Sequence, residues 1–242
     1  MKKTKIYDLV VIGSGPGGYI AAIRASQHGK KVMIIEKKEL GGICLNWGCI
    51  PTKSLLHGAD IFNSVRSLNI FDTDLSEIKV DWQKLIDKSR SSSELLNKGV
   101  SYLMKKNKID VLYGHAKLIN KTCISTTDKE GKVTKVESKD IIIATGAKPN
   151  SIPGINIDRK RVITSREAMT LSSVPKSITI IGGGAIGVEF AYFFKSFGSA
   201  VSIIELQDRL LPESDHDISK ELESQFNNLG IDVYTQTKIS DF

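Results

Sequence analysis

Residues 8–38, DLVVIGSGPGGYIAAIRASQHGKKVMIIEKK, can be set over residues 177–207, SITIIGGGAIGVEFAYFFKSFGSAVSIIELQ, without a gap. Gly13, Gly15 and Gly18 fall on Gly182, Gly184 and Gly187, Gly29 falls on Gly198, and Glu36 falls on Glu205. Each copy reads as an apolar strand, a G-x-G-x-x-G turn, a helix ended by glycine, and a second strand closed by glutamate. In such a unit the first glycine permits a tight turn. The second lets the backbone approach a pyrophosphate, and the third lets helix and strand pack closely. The phosphates then meet the positive N-terminal end of the helix, and the closing acid accepts from ribose hydroxyls. A lone glycine motif is a weak signal, but here each copy has its strand, its helix and its acid. The pattern predicts an α/β protein of two Rossmann-like units that bind two nucleotides.

The region between the copies is less regular. VDWQKLIDKSRSSSELLNKGVSYLMKKN predicts a long amphipathic helix with Asp81 as its N-cap and Trp82, Leu85, Ile86, Leu96 and Leu103 as its core stripe. IDVLYGHAKLI and the alternating TCISTTDKEGKVTKVES predict strands with a turn near 129–132, Cys123 being a buried strand thiol. DIIIATGAKPN predicts a further buried strand that ends in a small-residue turn suited to a close backbone approach. Pro149 and Pro153 then mark a domain boundary near residue 150.

Two segments imitate membrane signals. The N-terminus has a basic start and an apolar run, but Asp8 and the GSGPGG turn interrupt it. SITIIGGGAIGVEFAYFF carries Glu189 and four glycines, a poor composition for a spanning helix. The net charge of +7 comes from scattered Lys and Arg, which reads as a solvated surface rather than a nucleic-acid or membrane face. Three cysteines are too few for a secreted disulfide scaffold, so the expected compartment is reducing.

Two of those cysteines, Cys44 and Cys49, lie in GGICLNWGCIPTK. A zinc site needs three or four ligands, and no second cysteine pair or histidine cluster accompanies this one. A structural bridge over so short a loop would stabilise little. Residues five apart on a regular helix have Cα atoms roughly 8.6 Å apart, whereas a disulfide needs about 4.4–6.8 Å. The segment must therefore bend, and Gly48 and Pro51 give it the means. A bridge held in a distorted turn is more reducible, which favours a redox-active pair if one of the two nucleotides is a redox cofactor.

Gly13–Gly18 with Glu36, then CLNWGCIPTK, then ATG at 144–146, then GGGAIGVEF with Glu205 together resemble the flavin-dependent pyridine nucleotide–disulfide oxidoreductases. The likeness covers the whole chain and about the first half of a family member. It implies an FAD-binding domain at 1–149 that lacks its return segment and an NAD-binding domain at 150–242 that is truncated. It further implies that Gly13, Gly15, Pro16, Gly18, Glu36, Lys37, Gly41, Gly42, Lys53, Ala116, Thr145 and Gly146 line the FAD site. Gly182, Gly184, Ala185, Ile186, Gly187 and Glu205 would hold NAD.

By the same resemblance Cys44 is the interchange thiol and Cys49 the charge-transfer thiol facing the flavin. On that division Cys44 is expected to be exposed and Cys49 to lie against a dry face. Lys53, paired with Glu189, would place a positive charge by the ring. The implied reaction is NAD-dependent oxidation of dihydrolipoamide carried on the lipoyl domains of 2-oxo acid dehydrogenase complexes. The full-length protein would be a cytoplasmic homodimer, or a mitochondrial-matrix one in a eukaryote. Glutathione- or mercuric-type reductases are the rival enzymes, and a non-catalytic flavin-binding fragment is the rival of another class. The family's C-terminal His–Glu pair has no counterpart among the four histidines, so the chain alone is expected to be inactive.

Overall fold

The structure, a computed structural model of the chain, describes residues 6–68, 78–150 and 152–239. The chain divides into two compact units. One comprises Met1–Pro51 with Arg90–Lys148, and the other comprises Thr52–Ser89 with Pro149–Phe242. The break after Lys148 falls beside the pair of prolines. Residues 52–89, however, group with the second unit.

In the first unit, β1 (Ile6–Ile12), α1 (Pro16–Gln27) and β2 (Val32–Glu36) form the first copy of the repeat. The remaining strands are β3 (Asp110–Tyr113), β4 (His115–Leu118), β5 (Cys123–Thr127) and β6 (Val133–Ile143). The sheet runs β3-β2-β1-β6-β5-β4. It is parallel from β3 to β6, with Leu9 opposite Val32 and Asp140, and antiparallel from β6 to β4. β1 and β2 read as continuous apolar runs because both faces are covered. Leu9, Val11, Val32 and Ile34 pack with Val100 and Met104 on one face, and Val10, Ile12, Met33 and Ile35 pack with Ile124 and Val136 on the other.

One expectation fails here. The DIII segment is not a separate buried strand but the inner end of the eleven-residue β6. The same strand pairs antiparallel with β5 through Glu137 and parallel with β1 through Ile143. Ile141 is its last residue in the apolar cover, and Ile143 is 62% exposed. Cys123 lies on β5 as expected but is half-buried rather than buried.

The second unit repeats the plan with β7 (Ser177–Ile181), α6 (Ala185–Ser196), β8 (Ala200–Ile204), α7 (His216–Asn228) and β9 (Asp232–Tyr234). Its sheet is β7-β8-β9, all parallel. Phe193, Phe194, Ile203 and Leu210 fill its core. Trp82 joins them, 5.4 Å from Phe193 between ring centroids, and donates its indole N–H to the Leu171 carbonyl at 2.7 Å.

Two long helices lie in the connections: α3 (Cys49–Ser67) and α4 (Trp82–Lys106). Asp81 caps α4 by accepting from the Lys84 N–H at 3.1 Å. The buried stripe of α4 is Trp82, Ile86, Ser89, Ser93, Val100 and Met104, while Leu85 and Leu103 are partly buried. Leu96, expected in the core, is 41% exposed because it lies off that stripe. Among the described residues no helix is long and apolar enough to cross a membrane.

Candidate nucleotide and thiol site

The strand order of the first unit reverses between β1 and β6, and in open α/β sheets such a reversal is where a ligand crevice forms beyond the C-terminal ends of the strands. Glycines occupy the turn at that end of the sheet. Gly13 follows β1 with φ of +99°, and a Cβ there would lie 2.2 Å from the Ala144 carbonyl oxygen and 3.2 Å from the Thr145 Cα. Gly18 seats α1 on the turn, since a Cβ would come within 2.0 Å of the Gly13 carbonyl oxygen. Gly187 repeats this against Gly182 at 2.0 Å.

The middle glycines differ. A Cβ on Gly15 meets nothing closer than the Gly42 Cα at 3.9 Å, and one on Gly184 meets nothing within 4 Å. Both are N-cap residues with no side-chain cap, and α1 and α6 carry no acid in their first turns. A short helix elsewhere, α5 (Ser165–Ala168), has a complete capping box from Thr164 and Glu167. The two repeat helices thus present bare N–H groups and a positive dipole end to open space, a site for anionic phosphate.

The closing acids are both buried. Glu36 accepts from the Ser14 N–H at 3.0 Å, the Ser14 hydroxyl at 2.6 Å and the Lys38 N–H at 2.8 Å. Glu205 accepts from the Gly183 N–H at 2.6 Å and the Gln207 N–H at 2.7 Å. The same two backbone bonds recur in both units. Ser14 adds a third in the first, a contact not foreseen although its hydroxyl was legible at the x of G-x-G. Beside Glu36 a cavity of about 490 Å³ is lined by Lys37, Leu40, Asn97, Tyr113, Gly114 and Asp128. Burial, with the Glu36 carboxylate nearby, raises the Tyr113 phenol above its usual pKa. Ala116 follows on β4 and packs into the core beneath. Gly146, with φ of +68°, follows Thr145 just past β6.

A second short helix, α2 (Gly42–Trp47), starts against the glycine turn. The Gly41 N–H donates to the Ser14 carbonyl at 3.0 Å, and a Cβ on Gly42 would lie 2.6 Å from the Gly15 Cα. Cys44 sits on α2 and Cys49 opens α3, with Gly48 between the helices. A Cβ on Gly48 would lie 3.0 Å from the Ile43 carbonyl oxygen and 3.3 Å from the Cys44 Cα, so the turn folds back on itself there. Both cysteines are thiols. Cys44, expected to be exposed, is half-buried, and Cys49 is exposed. The reason is local: Cys44 packs against the apolar cluster that also holds Leu45.

One turn past Cys49, the Lys53 ammonium pairs with Glu189 of α6. The two helices are also joined by Tyr192 donating to Asp60 at 2.7 Å and by Asn63 donating to Ser196 at 2.9 Å. The Lys53 side chain is 62% exposed and that of Glu189 29%, so the pair adds at most about 1 kcal/mol to stability. Glu189→Gln is therefore expected to lower the stability by less than about 1 kcal/mol in denaturant titration.

Residues 7–242 match the family model for pyridine nucleotide-disulphide oxidoreductases. The chain is 43% identical over 235 residues to a dihydrolipoyl dehydrogenase of Chlorobaculum parvum, covering 97% of this chain and 50% of that protein. It is 39% identical over 241 residues to a dihydrolipoyl dehydrogenase of Bacillus subtilis, covering 96% and 51%. Among solved structures, the HOCl-induced flavoprotein disulfide reductase RclA of Escherichia coli, described as its Cu(II) complex, superposes with a TM-score of 0.84 at 29% identity. That match covers 98% of this chain and 51% of RclA. The chain thus spans about half the length of these proteins.

Proposed function

Because the chain belongs to the pyridine nucleotide–disulphide oxidoreductase family, we propose that it supplies the FAD, NAD and dithiol sites of a dihydrolipoyl dehydrogenase. The observation that carries this reading is the meeting of Gly15 and Gly42, which puts the bare N-terminus of α1 beside the helix that bears Cys44. In the proposal Gly13, Gly15, Pro16, Gly18, Gly41 and Gly42 hold the FAD pyrophosphate, and Glu36 the ribose. Lys37 and Ala116 lie towards the adenine, and Thr145 and Gly146 towards the ring. Residues 1–149 then serve FAD and 150–242 serve NAD through Gly182, Gly184, Ala185, Ile186, Gly187 and Glu205. FAD held by those residues would supply a two-electron acceptor for the thiols and a hydride donor for NAD⁺.

The rest is the work of side chains. A dihydrolipoamide thiolate attacks the Cys44 sulfur of the oxidised pair, breaking the S–S bond and releasing Cys49 as thiolate. The second substrate thiol then displaces Cys44. The substrate leaves as a disulfide, and the chain keeps both electrons as two reduced sulfurs. Cys49 would face the flavin, and Lys53, held by Glu189, would set a positive charge where the added electrons reside. The substrate thiols would come from lipoyl domains of 2-oxo acid dehydrogenase complexes, met by a homodimer in the cytoplasm, or in the mitochondrial matrix of a eukaryote.

The test is a stoichiometric one. The oxidised chain is mixed with an equal amount of dihydrolipoamide, and protein thiols are counted by mass after alkylation. Two thiols gained per chain support the reading. Exchange with glutathione but not with dihydrolipoamide would point to a glutathione-type reductase instead.

Cofactor choice gives another prediction. A 2′-phosphate brought to about 4 Å from the Glu205 carboxylate would meet a repulsion of roughly 4 kcal/mol per unit charge pair at an effective dielectric near 20. Even a third of that is about tenfold in affinity. NADH is expected to bind at least tenfold tighter than NADPH in fluorescence titration, and equal affinities would refute the role given to Glu205.

A further inference from the structure

The loop that carries the two thiols is fastened by a residue the proposed chemistry does not use. Arg90, on α4, lays its guanidinium over the Trp47 indole, with Cζ 4.1 Å from the ring centroid. Its Nη2 also donates to the Asn46 carbonyl oxygen at 2.6 Å. Asn46 and Trp47 are the residues midway between Cys44 and Cys49. Two turns along the same helix, the Asn97 amide donates to the Leu40 carbonyl at 2.6 Å and to Asn46 Oδ1 at 3.2 Å. Asn46 in turn donates to the carbonyls of Leu40 at 2.8 Å and Gly42 at 2.9 Å. One helix therefore grips the loop from both ends of the Asn46 side.

This grip falls where the backbone is irregular. α2 stops at Trp47, Gly48 takes φ −148° and ψ −119°, and α3 resumes at Cys49. If the segment relaxed into one continuous helix, residues five apart would stand roughly 8.6 Å apart at Cα, beyond the span a disulfide tolerates. Something must hold the break open for the sulfurs to meet. A planar guanidinium can stack on an indole and direct an N–H at the neighbouring carbonyl in one rigid geometry, whereas a lysine ammonium cannot do both.

We propose that Arg90 is a positioning residue for the thiol pair: its stack on Trp47 and its bond to Asn46 hold the 44–49 turn in the shape from which the disulfide closes. This rests on reading Cys44 and Cys49 as a reversible pair. The closure is Cys44–SH plus Cys49–SH plus glutathione disulfide, giving the protein S–S bond and two glutathione thiols. The glutathione disulfide takes up both electrons and both protons. Loosening the turn lowers the equilibrium constant for closure by about tenfold, equivalent to about 30 mV for this two-electron couple.

The experiment equilibrates the chain in a Cys123→Ser background, without flavin, in graded glutathione redox buffers. The disulfide fraction is read by alkylation and mass. Arg90→Lys keeps the charge and Arg90→Met keeps the stem. Both are expected to move the midpoint about tenfold towards the dithiol, with Lys giving no rescue. Trp47→Leu, which removes the ring and leaves Arg90 in place, is expected to move it the same way, and it decides the matter if the Arg90 variants fail to fold by circular dichroism. Midpoints within twofold of the parent in the folded variants would overturn the positioning role. So would full rescue by Lys, which would make charge rather than the stacked geometry the cause. Absence of any reversible disulfide in the parent would instead overturn the reading of the pair itself.

Discussion

With alanine at position 15 the chain is expected to fold as before and to bind FAD at least about a hundredfold more weakly. With alanine at position 18 it is expected to fold poorly. The two glycines are three residues apart in one motif, and the structure separates their duties. The Cβ added at 15 points into open space, with nothing nearer than 3.9 Å, so the protein loses no packing. It would stand between a phosphate and the bare N–H groups of α1. Each charge-assisted bond of that kind contributes about 1.5–3 kcal/mol, and losing one or two gives the hundredfold. The Cβ at 18 would sit 2.0 Å from a backbone oxygen, which cannot swing aside, and forcing α1 off β1 costs about 3 kcal/mol or more. Denaturant midpoints and FAD titrations of the two variants check both halves. An unfolded Gly15→Ala, or one that binds FAD normally, would contradict the pyrophosphate assignment.

The thiols give the second large effect. In the flavin-free chain iodoacetamide is expected to label the exposed Cys49 severalfold faster than the half-buried Cys44. Bound FAD should invert the order, because the assignment puts Cys49 against the ring. In reduced, FAD-loaded protein Cys49→Ser is expected to abolish the long-wavelength absorbance of a thiolate beside a flavin, whereas Cys44→Ser keeps or strengthens it. Either substitution should end release of oxidised dithiol, since one sulfur can form only a mixed disulfide. Labelling order that ignores FAD, or loss of the band in Cys44→Ser alone, would reverse the roles.

The strand–turn–helix–strand repeats were legible because the information is local: three glycines, two strands and an acid all lie within about thirty residues. The bend at Gly48 between Cys44 and Cys49 was legible for the same reason, as were the strands around 110–138 and the Asp81 cap. What failed was information spread along the chain. Ser89 and Ser93 occupy buried positions of α4, so the hydrophobic pattern jumps to Leu96, which is solvent-facing. The run from Val133 to Ile143 looks like two strands in sequence because its outer half alternates and its inner half does not. That change marks a switch from an antiparallel partner to a parallel one, not a break. The packing of Cys44 follows from which side of α2 meets the core, which no spacing rule supplies. Arg90 lies 43 positions from Trp47, the grouping of residues 52–89 with the second unit rests on partners as remote, and only folding reveals either.

If Glu36 and Glu205 select the nucleotide as proposed, they couple that preference to folding. Each carboxylate accepts the N–H of the residue inside its own glycine turn and that of the residue two places beyond itself. An exchange such as Glu205→Arg, which on charge alone would welcome a 2′-phosphate, strands the N–H groups of Gly183 and Gln207. For the buried Gly183 donor, the loss of its partner costs about 1–3 kcal/mol. A lineage drifting from one dinucleotide to the other must therefore cross a valley of poorly ordered turns unless a second substitution bridges it. At the first copy the valley is deeper, because the Ser14 hydroxyl adds a third bond to Glu36. Nucleotide preference is thus expected to be the more entrenched at residue 36 and the more evolvable at residue 205.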